Sequence, residues 1–382
     1  MLIGNYYNGV EIHREDKMVY AKFLCPHRVI STCKVNGGLR DDLEYIINHQ
    51  SCEPNGHYRK RLRLAINHPE AYLSVLCRSQ NLTPEKAACL FTATNMNHAV
   101  IKSAKHQGLE VIAVSTGGVE TNAVRVGDPA SYYETKGQFE MIDAGELSRQ
   151  GTINTMVFIN NELKPGALVA TIAVSTEAKT AVMQELCVNS RYSQGLATGT
   201  GTDQIGIACR LGGDYRISSA DKHSKLGELI GRTVKQSVQE TLELHNEYTP
   251  QARGKLAVLV ERCGMQVDEL IAIISSQLPE KHKSVLTQNF EGINRDPLIV
   301  AGVAAVVHLW DKANYGILPQ SCLTDVFCSY GAQIAAAVSG NYRRIHHYRN
   351  CLAREIVTTR DNAVIELITK SIAMGFGEKW ED

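Results

Sequence analysis

At 382 residues the chain is long enough for two domains with sizeable cores. Its 40 basic and 40 acidic residues cancel, which leaves no electrostatic footprint for nucleic acid or an anionic membrane surface. A small or amphipathic ligand is therefore expected, with no nucleic acid and no membrane as partner.

The stretch Met1-Leu2-Ile3-Gly4-Asn5-Tyr6-Tyr7-Asn8 has no basic region followed by an apolar run, so no signal peptide is expected and the protein is placed in the cytoplasm. The 11 cysteines are scattered without a CxxC pair and read as small hydrophobes in a reducing compartment. Strand patterns cover Val10 to Ile12, Met18 to Leu24 and Arg28 to Lys34. Asp41-Asp42, after Gly37-Gly38, is read as opening a helix through His49, and residues 50–60 as a polar loop. A helix is expected over Pro69 to Arg78, and Thr83-Pro84-Glu85 is read as starting another that runs into Phe91 to Met96.

Leu109 to Ser115 is a continuous apolar strand of the kind covered on both faces, and it delivers a loop from Thr116 to Asn122. Asp128 to Gly145 reads as a polar connection. Ile153 to Asn160 and Ala167 to Val174 read as two strands joined by a hairpin through Pro165-Gly166, followed by a helix capped at Ser175 or Thr176 and running to Val188. Gln204 to Arg210 reads as a strand, Asp214 to Ala220 as a loop and Leu226 to His245 as a helix. After Thr249-Pro250 the pattern is helical almost throughout: Leu256 to Cys263, Val267 to Ser276, Lys281 to Phe290, Leu298 to Asp311, Ser329 to Val338, Arg349 to Glu355 and Asn362 to Met374. The apolar run Pro297 to Trp310 falls short of the ~20 residues that span a bilayer and reads as a buried helix. The expected fold class is α/β (α+β): mixed sheets with antiparallel hairpins and covering helices over residues 1–248, then an all-helical C-terminal domain over 249–382.

The most site-like stretch is Ala197-Thr198-Gly199-Thr200-Gly201-Thr202-Asp203. Two glycines among threonines, closed by an acid, leave backbone and hydroxyl groups free to approach a ligand. The same run also suits a kinked strand. It is accompanied by Thr116-Gly117-Gly118-Val119-Glu120-Thr121-Asn122-Ala123, Arg125-Val126-Gly127-Asp128-Pro129, Gly151-Thr152-Ile153-Asn154, Thr176-Glu177-Ala178-Lys179 and Lys222-His223-Ser224-Lys225-Leu226-Gly227-Glu228-Leu229-Ile230-Gly231. In this order and spacing the set resembles the adenosylcobinamide amidohydrolase family, from about Val19 to Glu243. Two positions depart from the family pattern: Gly117 stands where Ala is expected, and Lys222 where a small or turn-forming residue is expected.

The resemblance implies a cytoplasmic hydrolase of corrinoid salvage that cleaves the aminopropanol amide of adenosylcobinamide. Its partner is then a small-molecule corrinoid, and cobalt arrives within the substrate rather than as a cofactor of the enzyme. Hydrolysis of a secondary amide needs an activated water or nucleophile, oxyanion donors and an acid for the leaving amine. Asp203 or Glu177 is the candidate to activate water, His223 the acid, and Lys179 the group that stabilises the oxyanion or orients a carboxylate. The backbone of Gly199, Thr200, Gly201 and Thr202 is the candidate donor set, with Thr202 also among the catalytic candidates. Asn154 and Asn122 are expected to read the amides that fringe a corrin ring, and Glu120 and Asp128 join the substrate-binding set by motif membership.

A cut at Gly151-Thr152 would instead free a threonine amine as base and its hydroxyl as nucleophile; the water route is the one preferred here. A catalytic metal is left open, since His223 with carboxylates suits zinc but the HExxH spacing is absent. Two rival readings share these residues: a corrinoid-binding protein without catalysis, and an amidase for another secondary amide. Homo-oligomerisation through the helical region is also left open.

Overall fold

The computed structural model describes residues 1–52, 59–119, 121–136, 138–142, 151–356 and 362–380. The backbone separates into two compact units, Met1–Tyr248 and Thr249–Asp382. The first opens with β1 (Leu2–Tyr6), β2 (Val10–Glu15) and β3 (Met18–Phe23), an antiparallel meander. The chain then crosses to a second sheet for β4 (His27–Ser31) and β5 (Gly38–Arg40), and returns to the first as β6 (Tyr45–Gln50). Helices α1 (Arg59–Asn67) and α2 (Pro69–Ser79) lead to β7 (Ala87–Thr92), which lies parallel to β6.

The antiparallel pair β8 (Val100–His106) and β9 (Leu109–Gly118) belongs to the second sheet. A two-residue strand β10 (Ala123–Val124) and an exposed hairpin of β11 (Tyr132–Thr135) and β12 (Gln138–Met141) follow. Next come β13 (Thr152–Ile159), β14 (Glu162–Leu163) and the long helix α3 (Pro165–Glu185). Then come β15 (Gly199–Thr200), β16 (Gln204–Arg210), β17 (Arg216–Ile217) and α4 (Lys225–Asn246).

The five-stranded sheet has the order β1-β2-β3-β6-β7 and the six-stranded sheet β5-β4-β16-β13-β9-β8. Each is built around one parallel pair joined by a helical crossover, β6 with β7 and β13 with β16. The sheets pack face to face through Ile12, Ala21, Ile46 and Leu90 of one and Ile112, Val114, Met156 and Phe158 of the other. Helix α2 covers the outer face of the first sheet with Leu73 and Cys77. Helices α3 and α4 cover the second, α3 with Leu168 and Val182 and α4 with Leu226, Ile230, Val234, Val238 and Leu242 at four-residue spacing. The result is four layers, helix, sheet, sheet and helix, with β13 buried on both faces at all eight positions.

Several expectations are corrected. The helix read over 41–49 is strand β6, because Asp41 and Asp42 bind Arg28 and Arg40 rather than capping a helix. The helix from Thr83 is one 3₁₀ turn, Pro84–Lys86, before strand β7. The strand over 167–174 is the first half of α3: Pro165 takes the first helical turn, where its missing N–H costs nothing, and Ala167, Leu168, Thr171, Ser175 and Ala178 line one buried stripe. The connection over 128–145 contains the β11–β12 hairpin where it is described. Most of the loop expected over 50–60 lies outside the described residues.

His27, fully buried at the start of β4, stacks on Phe23 with ring centroids 4.5 Å apart. The Cys25 carbonyl 2.8 Å from Nδ1 fixes the proton there, so the Tyr7 hydroxyl donates to Nε2 at 3.0 Å. Burial, with the neighbouring Arg210 charge, pushes its pKa from the ordinary 6.5 down to about 4, against the Cys25 hydrogen bond. The unfolded chain therefore takes up the proton first as pH falls. Stability from this group is complete above pH 6.5 and is lost between 6.5 and about 4. Urea unfolding at pH 5 should give a stability about 2 kcal/mol below that at pH 7 from this group. His27→Gln should flatten that slope, and an unchanged slope would remove His27 as its source.

The second unit is helical throughout its described residues: α5 (Pro250–Arg253), α6 (Leu256–Glu261), α7 (Val267–Ser276), α8 (Glu280–Arg295), α9 (Pro297–Asn314), α10 (Leu323–Ser339), α11 (Ile345–Glu355) and α12 (Ala363–Lys379). Its core gathers Val303, Val306, Phe327, Ile334, Leu367 and Ile372. Among the described residues no single helix is long and apolar enough to cross a membrane. Five of the 11 cysteines are buried: Cys33, Cys77, Cys89, Cys209 and Cys328.

Candidate active site

Three strand ends meet at one edge of the six-stranded sheet. Thr152 opens β13 opposite Gly118 at the end of β9, and parallel pairing sets Asn154 beside Gln204 at the start of β16. The end of β9, which runs through Gly118 where a loop from Thr116 is expected from the sequence, and the Gly/Thr run are thereby brought to the same place, and β10 pairs with β15 beside them. Gly117 allows α4 to lie close: its N–H donates to Thr241 Oγ1 at 3.0 Å, and an added Cβ would stand 2.9 Å from Thr241 Cγ2.

Asp203 is the anchor of this edge. Its Oδ1 accepts from the Ile153 N–H at 2.8 Å and the Thr200 hydroxyl at 2.5 Å; its Oδ2 accepts from the Thr200 N–H at 3.0 Å and forms an ion pair with Lys179. Lys179 and Asp203 retain only 15% and 14% side-chain exposure, so water screens the pair weakly. The pair closes over Gly199, where an added Cβ would stand 2.2 Å from Asp203 Oδ2. Lys179 acts with two other α3 residues on the same run: Thr180 Oγ1 donates to the Thr198 carbonyl at 3.1 Å and Gln184 Nε2 to the Ala197 carbonyl at 2.8 Å.

Beside this anchor lies a cluster of neutral polar groups. Thr152 Oγ1 and Thr202 Oγ1 are 2.6 Å apart. Thr202 Oγ1 donates to the Gly151 carbonyl at 3.0 Å, and Asn122 Nδ2 donates to the same oxygen at 2.8 Å. Asn122 Nδ2 also lies 3.2 Å from Thr202 Oγ1, and its Oδ1 accepts from the Tyr192 hydroxyl at 3.3 Å. Gly151 is held at φ +128°, a conformation open to glycine and rare for other residues. Behind Thr152, between the sheets, stand Thr92, Thr94, Asn48, Thr116 and Asn154, all buried. Asn154 Nδ2 donates to Asn48 Oδ1 and the Phe91 carbonyl, while its Oδ1, fully enclosed, has no partner among the described residues.

The candidate residues thus fall into groups. Asp203, Lys179, Thr202, Thr200, Gly199, Gly201 and Asn122 share one hydrogen-bonded edge. The backbone N–H groups of Thr200, Gly201 and Thr202 already donate locally, to Asp203 Oδ2, the Asn122 carbonyl and Thr200 Oγ1. The donors that converge on one oxygen are instead the side chains of Asn122 and Thr202. Asp128 ties two loops together, accepting from Ser190 Oγ and the Arg125 N–H. Burial opposes its charge, yet those bonds, a further one from Ser193 and the Arg125 charge leave its pKa below the ordinary carboxylate value. Glu177 pairs with Lys222 at the surface, with 55% and 70% exposure, and His223 is exposed just before α4. Among the described residues neither binds Asp203, Lys179 or Thr202. Glu120 lies outside the described residues.

Sequence reasoning gave no weight to Asn48, Thr92 and Thr94, and set Thr152 aside; its signal is a Gly-Thr step opening a continuous apolar strand. Among the described residues no group of three or more His, Cys, Asp and Glu could hold a metal ion. A recess of about 370 Å³ in the helical unit is lined by Arg344, Tyr348, Lys370 and Glu378. Its charges pair among themselves, Arg344 with Glu378 and Lys370 with Glu355.

Two facing sheets lie between helices, and the side-chain donors of Asn122 and Thr202 gather on one peptide carbonyl at a strand end. A family model described as adenosylcobinamide amidohydrolase matches residues 3–250, and the chain belongs to this family of amidohydrolases. An uncharacterized protein of Methanocaldococcus jannaschii is 29% identical over 233 residues, 60% of this chain and 86% of that protein. The PH0078 protein from Pyrococcus horikoshii aligns over 61% of this chain and 83% of its own, at 8% identity and a TM-score of 0.29, a likeness that carries no argument.

Proposed function

We propose that the protein hydrolyses the secondary amide joining aminopropanol to the corrin propionate of adenosylcobinamide, giving adenosylcobyric acid for cobamide salvage. One observation carries this reading beyond family membership: Asn122 Nδ2 and Thr202 Oγ1 converge at 2.8 and 3.0 Å on an amide carbonyl oxygen, that of Gly151. Two donors so placed favour the negative charge that develops when an amide carbonyl is attacked. Asp203, with donors at both oxygens, serves as the anchor that sets Thr200, Ile153 and Lys179 in place rather than as the base. Asn154, at zero exposure between the sheets, supports the site from behind through Asn48 and the Phe91 carbonyl. Glu177 and His223 have no part in this arrangement. Cobalt enters with the substrate.

The test is incubation of the purified protein with adenosylcobinamide, with and without a chelator, followed by mass analysis of the corrinoid. Adenosylcobyric acid in both samples is the expected result. Product lost only with chelator would assign the reaction to a metal. Binding without release of aminopropanol would overturn the hydrolytic reading in favour of a corrinoid-binding protein.

A further inference from the structure

The donors at the candidate site are occupied by a bond of the protein itself. We propose that the Gly151–Thr152 peptide is the first bond this site cleaves, and that the cut makes Thr152 an N-terminal nucleophile. The attribution of amide hydrolysis to Thr152 rests on the function proposed above; the cut itself does not.

Four observations surround the bond with the groups that an acyl shift needs. Its carbonyl oxygen receives two side-chain donors, Asn122 Nδ2 at 2.8 Å and Thr202 Oγ1 at 3.0 Å. The Thr152 hydroxyl lies 2.6 Å from Thr202 Oγ1. Thr202 spends its one proton on the Gly151 carbonyl, so at Thr202 the Thr152 hydroxyl finds an acceptor, which orients it. Gly151 sits at φ +128°, and a side chain there would press on the Gly118 carbonyl, 2.9 Å from the added Cβ. Thr152 is the first residue of a strand buried on both faces, so the nucleophile would be anchored at the start of a fully enclosed strand.

The step balances as an N-to-O acyl shift. Thr152 Oγ1 bonds to the Gly151 carbonyl carbon, the negative charge gathers on the oxygen held by Asn122 and Thr202, and the C–N bond to Thr152 breaks. The hydroxyl proton ends on the Thr152 nitrogen, which becomes a free amine. Water then hydrolyses the ester, leaving the Gly151 carboxylate and restoring the Thr152 hydroxyl. The carboxylate is free to leave the donors, and a substrate amide carbonyl takes its place. Thr152 Oγ1 then attacks the substrate, its own amine takes the hydroxyl proton and hands it to the departing amine, and a second water frees the acid. This order replaces the activated-water route expected from sequence.

The experiment reads the full chain on a denaturing gel and by intact mass, without any corrinoid. The expected result is conversion of the 42.1 kDa chain into two fragments, residues 1–151 and 152–382, the second beginning Thr-Ile-Asn-Thr. The rate should be first order and independent of protein concentration, which separates self-cleavage from a contaminating protease. Thr152→Ser should still cut, and Thr152→Val, which keeps the shape and lacks the hydroxyl, should stay at full length while keeping the wild-type circular dichroism. A wild-type chain that stays whole on prolonged incubation overturns the proposal, as does equal cutting of Thr152→Val. Cut protein that leaves adenosylcobinamide untouched would sink the proposed substrate alone, and hydrolysis by an uncut chain would sink the self-cleavage alone.

Discussion

Asp203→Asn is expected to lower hydrolysis of the amide by about 100-fold or more, because it releases several groups at once rather than removing one reacting atom. The carboxylate accepts from the Ile153 N–H, the Thr200 N–H and hydroxyl, and pairs with Lys179. An amide replacement presents an NH₂ to donors and leaves the Lys179 ammonium, 15% exposed, without its counter-charge. The Gly/Thr run then loses its registry with β13, and Thr202 with it. Steady-state kinetics beside a thermal melt are the check. A kcat near wild type in a folded Asp203→Asn protein would remove this residue from the machinery.

The second large effect belongs to Asn122. Removing one oxyanion donor typically costs about 10²–10³ in kcat. Asn122→Asp keeps the outline of the side chain and cannot donate from either oxygen when ionised, so a loss of this size is expected in kcat with little change in KM. Asn122→Ala should show the same loss and a stability cost of about 1–3 kcal/mol, because the buried Gly151 carbonyl and the Tyr192 hydroxyl each lose a partner. Loss confined to KM would make Asn122 a binding group and leave the charge stabilisation to Thr202.

The parts of the fold legible in the sequence are those whose pattern has one cause. Strands β9 and β13 and the middle of β16 are runs enclosed on both faces and are read correctly as buried strands, whereas the equally apolar run over 167–174 is helix. Helix α4 and the helices after Thr249 show a stripe at three- and four-residue spacing. The misreadings arise where local signals are spent on distant partners. Asp41 and Asp42 look like helix caps and are salt-bridge partners of Arg28 and Arg40. Asn48, polar and mid-strand, is tolerated at zero exposure because Thr116 and Asn154 satisfy it from the facing sheet. Pro165-Gly166 suits a turn as well as a helix start, and only the stripe packed on the sheet decides for α3.

The site was half legible for the same reason. The Gly/Thr run closed by Asp203 announces itself by composition, and Lys179 lies on the helix that the motif order points to. The local sequence around Glu177 is as suggestive as that around Lys179, yet two residues along a helix turn a side chain to the other side, and Glu177 ends at the surface with Lys222. Thr152 looks like any strand-opening threonine until Asn122 and Thr202, 30 and 50 positions away in sequence, are seen to hold the bond before it.

The strand order of the six-stranded sheet has a consequence for any chain broken between residues 142 and 152. The strands after the break, β16 and β13, lie side by side in the middle, while β5 and β4 flank them on one edge and β9 and β8 on the other. The two polypeptides are interleaved like the fingers of folded hands, and parting them requires unzipping both seams, five paired positions with β4 and eight with β9. A nicked protein would therefore travel through gel filtration as a single particle and betray its two chains only in denaturant.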